Sequence, residues 1–173
     1  LSWVAAAPEI WTPLLASAQL AVAPMAQKGG ARDLETLASF AKRSTLQQYV
    51  PSALQAMLLA DLHPLGCCRH LVLTGEPLPM ELCHRVLQSS NCLNSLRNHY
   101  GQTEAADTTT VFKVAPGLHA TSVPLGRPAT QRQVWLEHEH GMCDTAELGE
   151  LLVGGPGLHL DKRMEAQQRG RVR

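Results

Sequence analysis

Up to residue 104 the chain switches repeatedly between a helical period and short apolar runs. Ile10, Leu14 and Leu15 fall at helical spacing and predict a short helix over 8–16, and 19–23 reads as a strand closed by Pro24. Beyond the Lys28-Gly29-Gly30 turn, Asp33 is a candidate N-cap. The amphipathic helix behind it has an apolar stripe of Leu34, Leu37, Ala38 and Ala41. Residues 45–50 form the next predicted strand, stopped by Pro51, and Ser52 with Gln55 reads as a capping box for a helix carrying Leu54, Met57 and Leu58. A Pro-Gly loop over 64–66 leads to the apolar strand 71–73. Pro79 opens a helix with Glu81 in its first turn and Cys83, Val86 and Leu87 inward, and a buried strand is predicted over 93–96.

This order of helices and strands indicates an α/β layer with a mostly parallel sheet and flanking helices. After Glu104 the texture changes. Residues 108–114, 131–137 and 148–153 are β-rich and separated by Pro- and Gly-containing turns, which predicts an antiparallel or barrel-like part. The expected organisation is an α/β layer over 8–104 and a β-rich part over 105–157, together forming one unit over 1–157. A basic tail without apolar period, helical or disordered, follows over 158–173.

Composition narrows the function classes. Fifteen basic and fifteen acidic residues cancel, so neither a nucleic-acid footprint nor a membrane-steering field is implied. Aromatic residues make up only 4% of the chain, which argues against a base-stacking surface. Five cysteines, an odd number with no CxxC pair, read as reduced thiols of a cytoplasmic protein. The apolar opening is broken by Pro8, Glu9 and Pro13 and has no basic stretch before it, so it is neither a signal peptide nor a membrane span; the start at Leu1 rather than Met reads as a missing beginning.

The richest chemistry lies in Asn98-His99-Tyr100-Gly101-Gln102-Thr103-Glu104. An amide, an aromatic ring, a glycine, a hydroxyl and a carboxylate are poor core material but suit a turn at a strand end, where α/β proteins place their ligands. Glu137-His138-Glu139-His140 invites a metal reading. Adjacent residues at a strand end point to opposite faces, however, and a solvated turn is expected. Cys67 and Cys68 read as ordinary thiols.

Several pieces recur in one order: Trp11-Thr12-Pro13-Leu14-Leu15 with Leu20-Ala21-Val22-Ala23-Pro24, then Tyr49-Val50-Pro51-Ser52-Ala53-Leu54, then Leu73-Thr74-Gly75-Glu76-Pro77-Leu78-Pro79. The 98–104 stretch, Val123-Pro124-Leu125-Gly126-Arg127-Pro128 and the Gly149–Gly157 piece complete the set. The chain resembles the central part of an adenylate-forming enzyme, most closely the adenylation domain of a nonribosomal peptide synthetase, over about residues 8–157. The resemblance implies coupling of a carboxylic or amino acid to ATP with Mg2+ as electrostatic clamp, giving an acyl-adenylate and pyrophosphate. It further implies passage of the acyl group to the phosphopantetheine of a carrier domain or to CoA.

Carried over residue by residue, the resemblance assigns Gly75, Glu76 and Pro77 to the loop against adenine, Asn98 to its amino group and Tyr100 to stacking on the ring. Gly101 belongs to the same corner, Thr103 would meet the α-phosphate, and Glu104 would hold the magnesium ion. His99 lies where nucleotide and acyl pocket meet, and that pocket would be lined by Val4, Ala5, Pro8, Gln48, Val72, Thr74, His99, Asp107 and Thr108. Amino-acid-activating relatives place an aspartate where Val4 falls. An ammonium group beside Val4 would lose its partner, so an amine-free, α-hydroxy or α-keto acid is expected unless Asp107 supplies the charge. Pro8 replaces a usual tryptophan, and Gln102 stands where peptide synthetases have proline, as free-standing acyl-CoA synthetase-like ligases do not. The family's phosphate loop, later ribose-binding aspartate and catalytic lysine have no counterpart here, and the isolated chain is expected not to form an acyl-adenylate at a useful rate. The alternatives are a piece of an acyl-CoA synthetase-like ligase and a non-catalytic binding or structural remnant.

Overall fold

The computed structural model describes residues 6–22, 33–105 and 107–158. Helix α1 (Ala6–Leu15) and helix α2 (Asp33–Ala41) precede strand β1 (Leu46–Tyr49). Helix α3 (Pro51–Leu59), strand β2 (His70–Thr74), helix α4 (Met80–Ser89) and strand β3 (Ser95–Gln102) follow. A short 3-10 turn (Thr103–Ala105) leads to β4 (Asp107–Val114) and β5 (Arg127–Pro128), then β6 (Gln133–His138), β7 (Gly141–Met142) and β8 (Glu150–Gly154).

The first sheet has five strands in the order β1-β2-β3-β4-β5. β1, β2 and β3 are parallel neighbours, joined by the crossover helices α3 and α4, while β4 and β5 add on antiparallel. The β-rich stretch expected from residue 105 onward is thus divided between two sheets: β4 and β5 complete the first, and β7-β6-β8 form a separate antiparallel sheet.

Alternation along the parallel strands decides what each sheet face carries. Leu71, Leu73 and Leu96 are at most 1% exposed and meet Leu54 of α3 and Leu82, Cys83 and Val86 of α4 in one core. Both helices therefore cover the same face, as two successive right-handed crossovers require. Burial pushes the Cys68 and Cys83 thiols up from an ordinary 9.0 to about 11. The unfolded chain releases these protons near pH 9.0 and the folded chain only near 11, so stability should fall as pH rises through that window. Urea midpoints measured across it should decline, and Cys83→Ala should flatten the slope.

Gln47 is 5% exposed and ties three connections together. Its Nε2 donates to the carbonyls of Ala41 (2.6 Å), Pro64 (3.1 Å) and Ser44 (3.2 Å), and its Oε1 accepts from Tyr49 Oη at 3.0 Å.

Four expectations change. Gln19 to Val22 pairs with no strand among the described residues, and Val22 is 76% exposed; an apolar run becomes a strand only where a neighbour completes its ladder. Helix α2 starts at Asp33 itself rather than behind it, and the rest of the preceding turn lies outside the described residues, as does the tail beyond 158. Ser52 is not the N-cap of α3: Val50 holds that place, Pro51 takes the first turn, and no side chain from a capping box bonds there. Lastly, β3 begins at Ser95 and runs through Gln102, so Asn98 to Gln102 form a paired strand and not a turn. β4 supplies the ladder that residues of low strand propensity could not announce.

Candidate functional site

The parallel register sets Gln48 beside Val72, and Val72 beside Arg97; two residues further on, Thr74 pairs with His99 and His99 with Val111. Successive residues of a strand point to opposite faces. Gln48, Val72, Thr74 and His99 therefore share the face that α3 and α4 leave uncovered. Asn98 and Tyr100 point to the other face, at the carboxyl end of the parallel strands.

Thr108 reaches the His99 face because of a bulge. Pairing runs from Leu96–Val114 to Tyr100–Thr110, then shifts so that Gly101 faces Thr108 and Gln102 faces Asp107, leaving Thr109 as the extra residue. An unshifted ladder would point Thr108 the other way. The shift brings backbone into contact at Gly101, where an added Cβ would lie 1.4 Å from the Asp107 carbonyl oxygen. Gly101 thus serves a close approach of the chain to itself. Asp107 takes a left-handed φ of 75° at this corner.

The Thr108 hydroxyl donates to Asp107 Oδ2 at 3.4 Å and stands 3.4 Å from His99 Nδ1. With its proton directed to the carboxylate, Thr108 Oγ1 is an acceptor for an Nδ1 proton. That tautomer leaves His99 Nε2 as an acceptor, and Nε2 is buried with no hydrogen-bond partner. Burial first, and Arg97 second, hold the His99 imidazole below its ordinary value, with Asp107 opposing. A neutral imidazole with a buried, unpaired acceptor is suited to a donor on a ligand. Desolvation first, and the charge of Asp107 next, raise the Glu9 carboxyl of α1 above its ordinary value.

On the opposite face, Asn98 is 3% exposed and donates from Nδ2 to the Pro124 carbonyl at 3.0 Å. That bond fixes the amide orientation, with Nδ2 as the donor and Oδ1 as the acceptor. Thr110, opposite Tyr100, donates to the Leu125 carbonyl at 2.7 Å, so the 123–126 loop is tied to this face at two points. Gly75 turns the chain at the end of β2 with φ 87°. The Glu76 carboxylate reaches away from this corner to the start of α3, accepting from Ser52 N at 2.9 Å and Ser52 Oγ at 2.7 Å. Thr103 and Glu104 lie exposed in the 3-10 turn after β3. A single carboxylate there suits a magnesium ion that keeps waters and phosphate oxygens as its other ligands.

Helix α3 is thus capped from a distant loop, and that loop is held by the helix. Glu76→Ala should lower stability by about 1–2 kcal/mol, and adding Ser52→Ala should cost little more. A double-mutant cycle read by urea denaturation checks the coupling.

Of the residues singled out from the sequence, Gln48, Val72, Thr74, His99 and Thr108 lie along one face, the Asp107 carboxylate meets Thr108 at its end, and Pro8 lies on α1, the helix whose Glu9 senses Asp107. Val4 and Ala5 lie outside the described residues. Arg97 and Glu9 were missed as neighbours of the site. Arg97 could have been found, because it precedes His99 by two positions on the same strand; the approach of Glu9 to Asp107 left no sequence signal.

The fold is that of adenylation domains. It superposes on a solved structure of holo-PA1221, described as an NRPS protein containing adenylation and PCP domains bound to a vinylsulfonamide inhibitor, with TM-score 0.80 and 26% identity over 91% of this chain and 28% of that one. The N-terminal subdomain of Klebsiella oxytoca NpsA, solved with 3-hydroxyanthranilyl-AMSN, shows the same fold with TM-score 0.80, 23% identity and coverage of 96% of this chain and 44% of that one. A family model described as AMP-binding enzyme matches residues 1–160, and the chain belongs to that family. Among curated relatives, tyrocidine synthase 3 of Brevibacillus parabrevis is 29% identical over 86% of this chain and 2% of its own length. The L-proline--[L-prolyl-carrier protein] ligase of Pseudomonas fluorescens is 33% identical over 70% of this chain and 25% of its own length. The chain therefore spans a quarter or less of either relative. No helix among the described residues is long and apolar enough to cross a membrane.

Proposed function

We propose that this chain supplies the acyl-pocket face and the adenine corner of an acid-activating adenylation unit of the nonribosomal peptide synthetase type. The observation that carries the reading is the register of β1 to β4. It aligns Gln48, Val72, Thr74, His99 and bulged Thr108 on the face turned away from α3 and α4, with Asn98 and Tyr100 turned to the other at the same strand ends. Bound ATP supplies the adenylyl group that makes a carboxylate a better electrophile. Asn98 Oδ1 accepts from the adenine amino group, Tyr100 lies against the ring, and the Gly75 turn admits the base. Thr103 and Glu104 stand toward the phosphates and magnesium. His99, neutral, accepts through Nε2 from the acid or the ribose side of the ligand. A carrier domain bearing phosphopantetheine takes the acyl group, in keeping with solved relatives that pair adenylation and PCP domains.

Val4 in place of an acid favours an amine-free, α-hydroxy or α-keto acid. A second reading is favoured by the proximity of Asp107 and Glu9, whose mutual repulsion an ammonium group would relieve. Substrate-dependent pyrophosphate exchange by the complete protein that carries this chain decides between them. Exchange with hydroxy or keto acids supports the first reading. Turnover of α-amino acids alone, lost at least tenfold in Asp107→Asn, supports the second. No exchange with any acid overturns the enzymatic proposal.

A further inference from the structure

The stretch Glu137 to His140 was expected to be an ordinary solvated turn; Glu137 and His138 instead end β6 half-buried, and only Glu139 and His140 form the exposed turn. What the sequence could not show is that the chain returns to it. Cys143 follows β7 and donates its N–H to Leu136 O at 2.8 Å, continuing the ladder. Asp144 to Glu147 then form a tight turn in which Glu147 N reaches Asp144 O at 3.3 Å and Asp144 N donates to Glu147 Oε2 at 2.8 Å. These constraints bring an imidazole nitrogen of His138, the sulfur of Cys143 and a carboxylate oxygen of Glu147 within 4.8 Å of one another, the one such group of possible metal ligands among the described residues.

We propose that His138, Cys143 and Glu147 form a zinc-binding site on this hairpin, apart from the adenylation site.

The geometry is close to what zinc needs. Bond lengths of about 2.0–2.3 Å in a tetrahedron put neighbouring ligand atoms about 3.3–3.8 Å apart. His138 Nε2 and Glu147 Oε2 already stand 3.5 Å apart. The sulfur has to close in from within 4.8 Å of the other two, and in doing so it gives up its contact with the Leu148 carbonyl at 3.6 Å. A mixed nitrogen, sulfur and oxygen set suits zinc and excludes magnesium and calcium, which take oxygen. The fourth position is open to water.

Two further features belong to the site. An added Cβ at Gly149 would lie 2.4 Å from Cys143 Sγ and 2.7 Å from the Glu137 carbonyl oxygen, so the backbone of this glycine passes close beside both the sulfur and the end of β6. The carboxylates around Cys143 also act on its thiol. Desolvation first, then Glu147, Asp144 and Glu137, push that thiol above its ordinary value. The same negative field attracts a dication, which reverses the effect by stabilising the thiolate. On binding, the Cys143 S–H bond breaks, its proton passes to solvent, and the sulfur electron pair enters the zinc bond. Without metal, His138 Nδ1 accepts from His140 N at 3.0 Å, which leaves the proton on Nε2. Metal binding moves that proton to Nδ1 and gives up the turn bond, so the expected affinity is moderate and rises with pH.

The test uses the full chain, kept soluble by a fusion partner and stripped of metal, with exposed Cys67 and Cys92 replaced by serine. Titration with zinc should show one ion per chain and a raised unfolding temperature. Cobalt in its place should give a thiolate-to-cobalt charge-transfer band with tetrahedral visible bands. Cys143→Ser and His138→Ala should each weaken binding at least about tenfold, and Glu147→Gln should weaken it less. Absence of stoichiometric binding overturns the proposal. So does cobalt bound without the charge-transfer band, or zinc affinity unchanged in both Cys143→Ser and His138→Ala.

Discussion

Gly101→Ala should unfold the chain or cost it about 4 kcal/mol or more. The new methyl carbon would lie 1.4 Å from the Asp107 carbonyl oxygen and 2.9 Å from the Thr108 Cα. Those are backbone atoms on a paired strand, and no rotamer change relieves the overlap. β3 and β4 would have to part where the bulge now holds Thr108 on the His99 face. Urea denaturation reads the loss, and Gly117→Ala is the control: its φ of 83° is left-handed, which that of Gly101 is not, yet nothing lies within 4 Å of the added carbon. That variant should lose only about 1–2 kcal/mol of backbone preference. Equal losses in the two would mean that the contact at Gly101 does not govern the strand pairing.

Gln47→Glu is expected to come next, at about 3 kcal/mol or more, although it changes one atom of the side chain. The amide nitrogen serves the carbonyls of Ala41, Ser44 and Pro64, three acceptors that a carboxylate oxygen can only repel. The carboxyl must take up a proton or leave the pocket, and either breaks the junction that holds the end of α2 and the 62–66 loop against β1. The loss should shrink at acid pH, where the protonated side chain can donate once. A midpoint equal to the parent at neutral pH would show that this junction contributes nothing to stability.

Elements bounded by strong punctuation were legible in the sequence. Pro51 and Pro79 start helices where expected, and the strands around Gln48 and Val72 fall within a residue or two of their predicted ends. The class and the residues of the pocket face came from ordered motifs and not from periodicity. Features that depend on distant chain were not legible. Ser52 looked like the N-cap of a local box with Gln55, whereas its partner is Glu76, 24 positions on. The bulge at Thr109 and the hairpin cluster of His138 with Glu147 arise from register and turn geometry, which no single stretch of sequence contains.

The arrangement of α3 and α4 on one side of the sheet has a consequence for how such a chain can change. Val72 lies between Leu71 and Leu73 in the chain but faces away from both, and His99 stands in the same relation to buried Asn98. Under the proposed function, mutations that retune the choice of acid fall on positions interleaved with, yet turned away from, those that hold the fold. On that proposal a lineage can alter its substrate one residue at a time along β1, β2 and β3 without repacking the α3 and α4 core, and a designer can randomise Gln48, Val72 and His99 while leaving the core positions between them untouched.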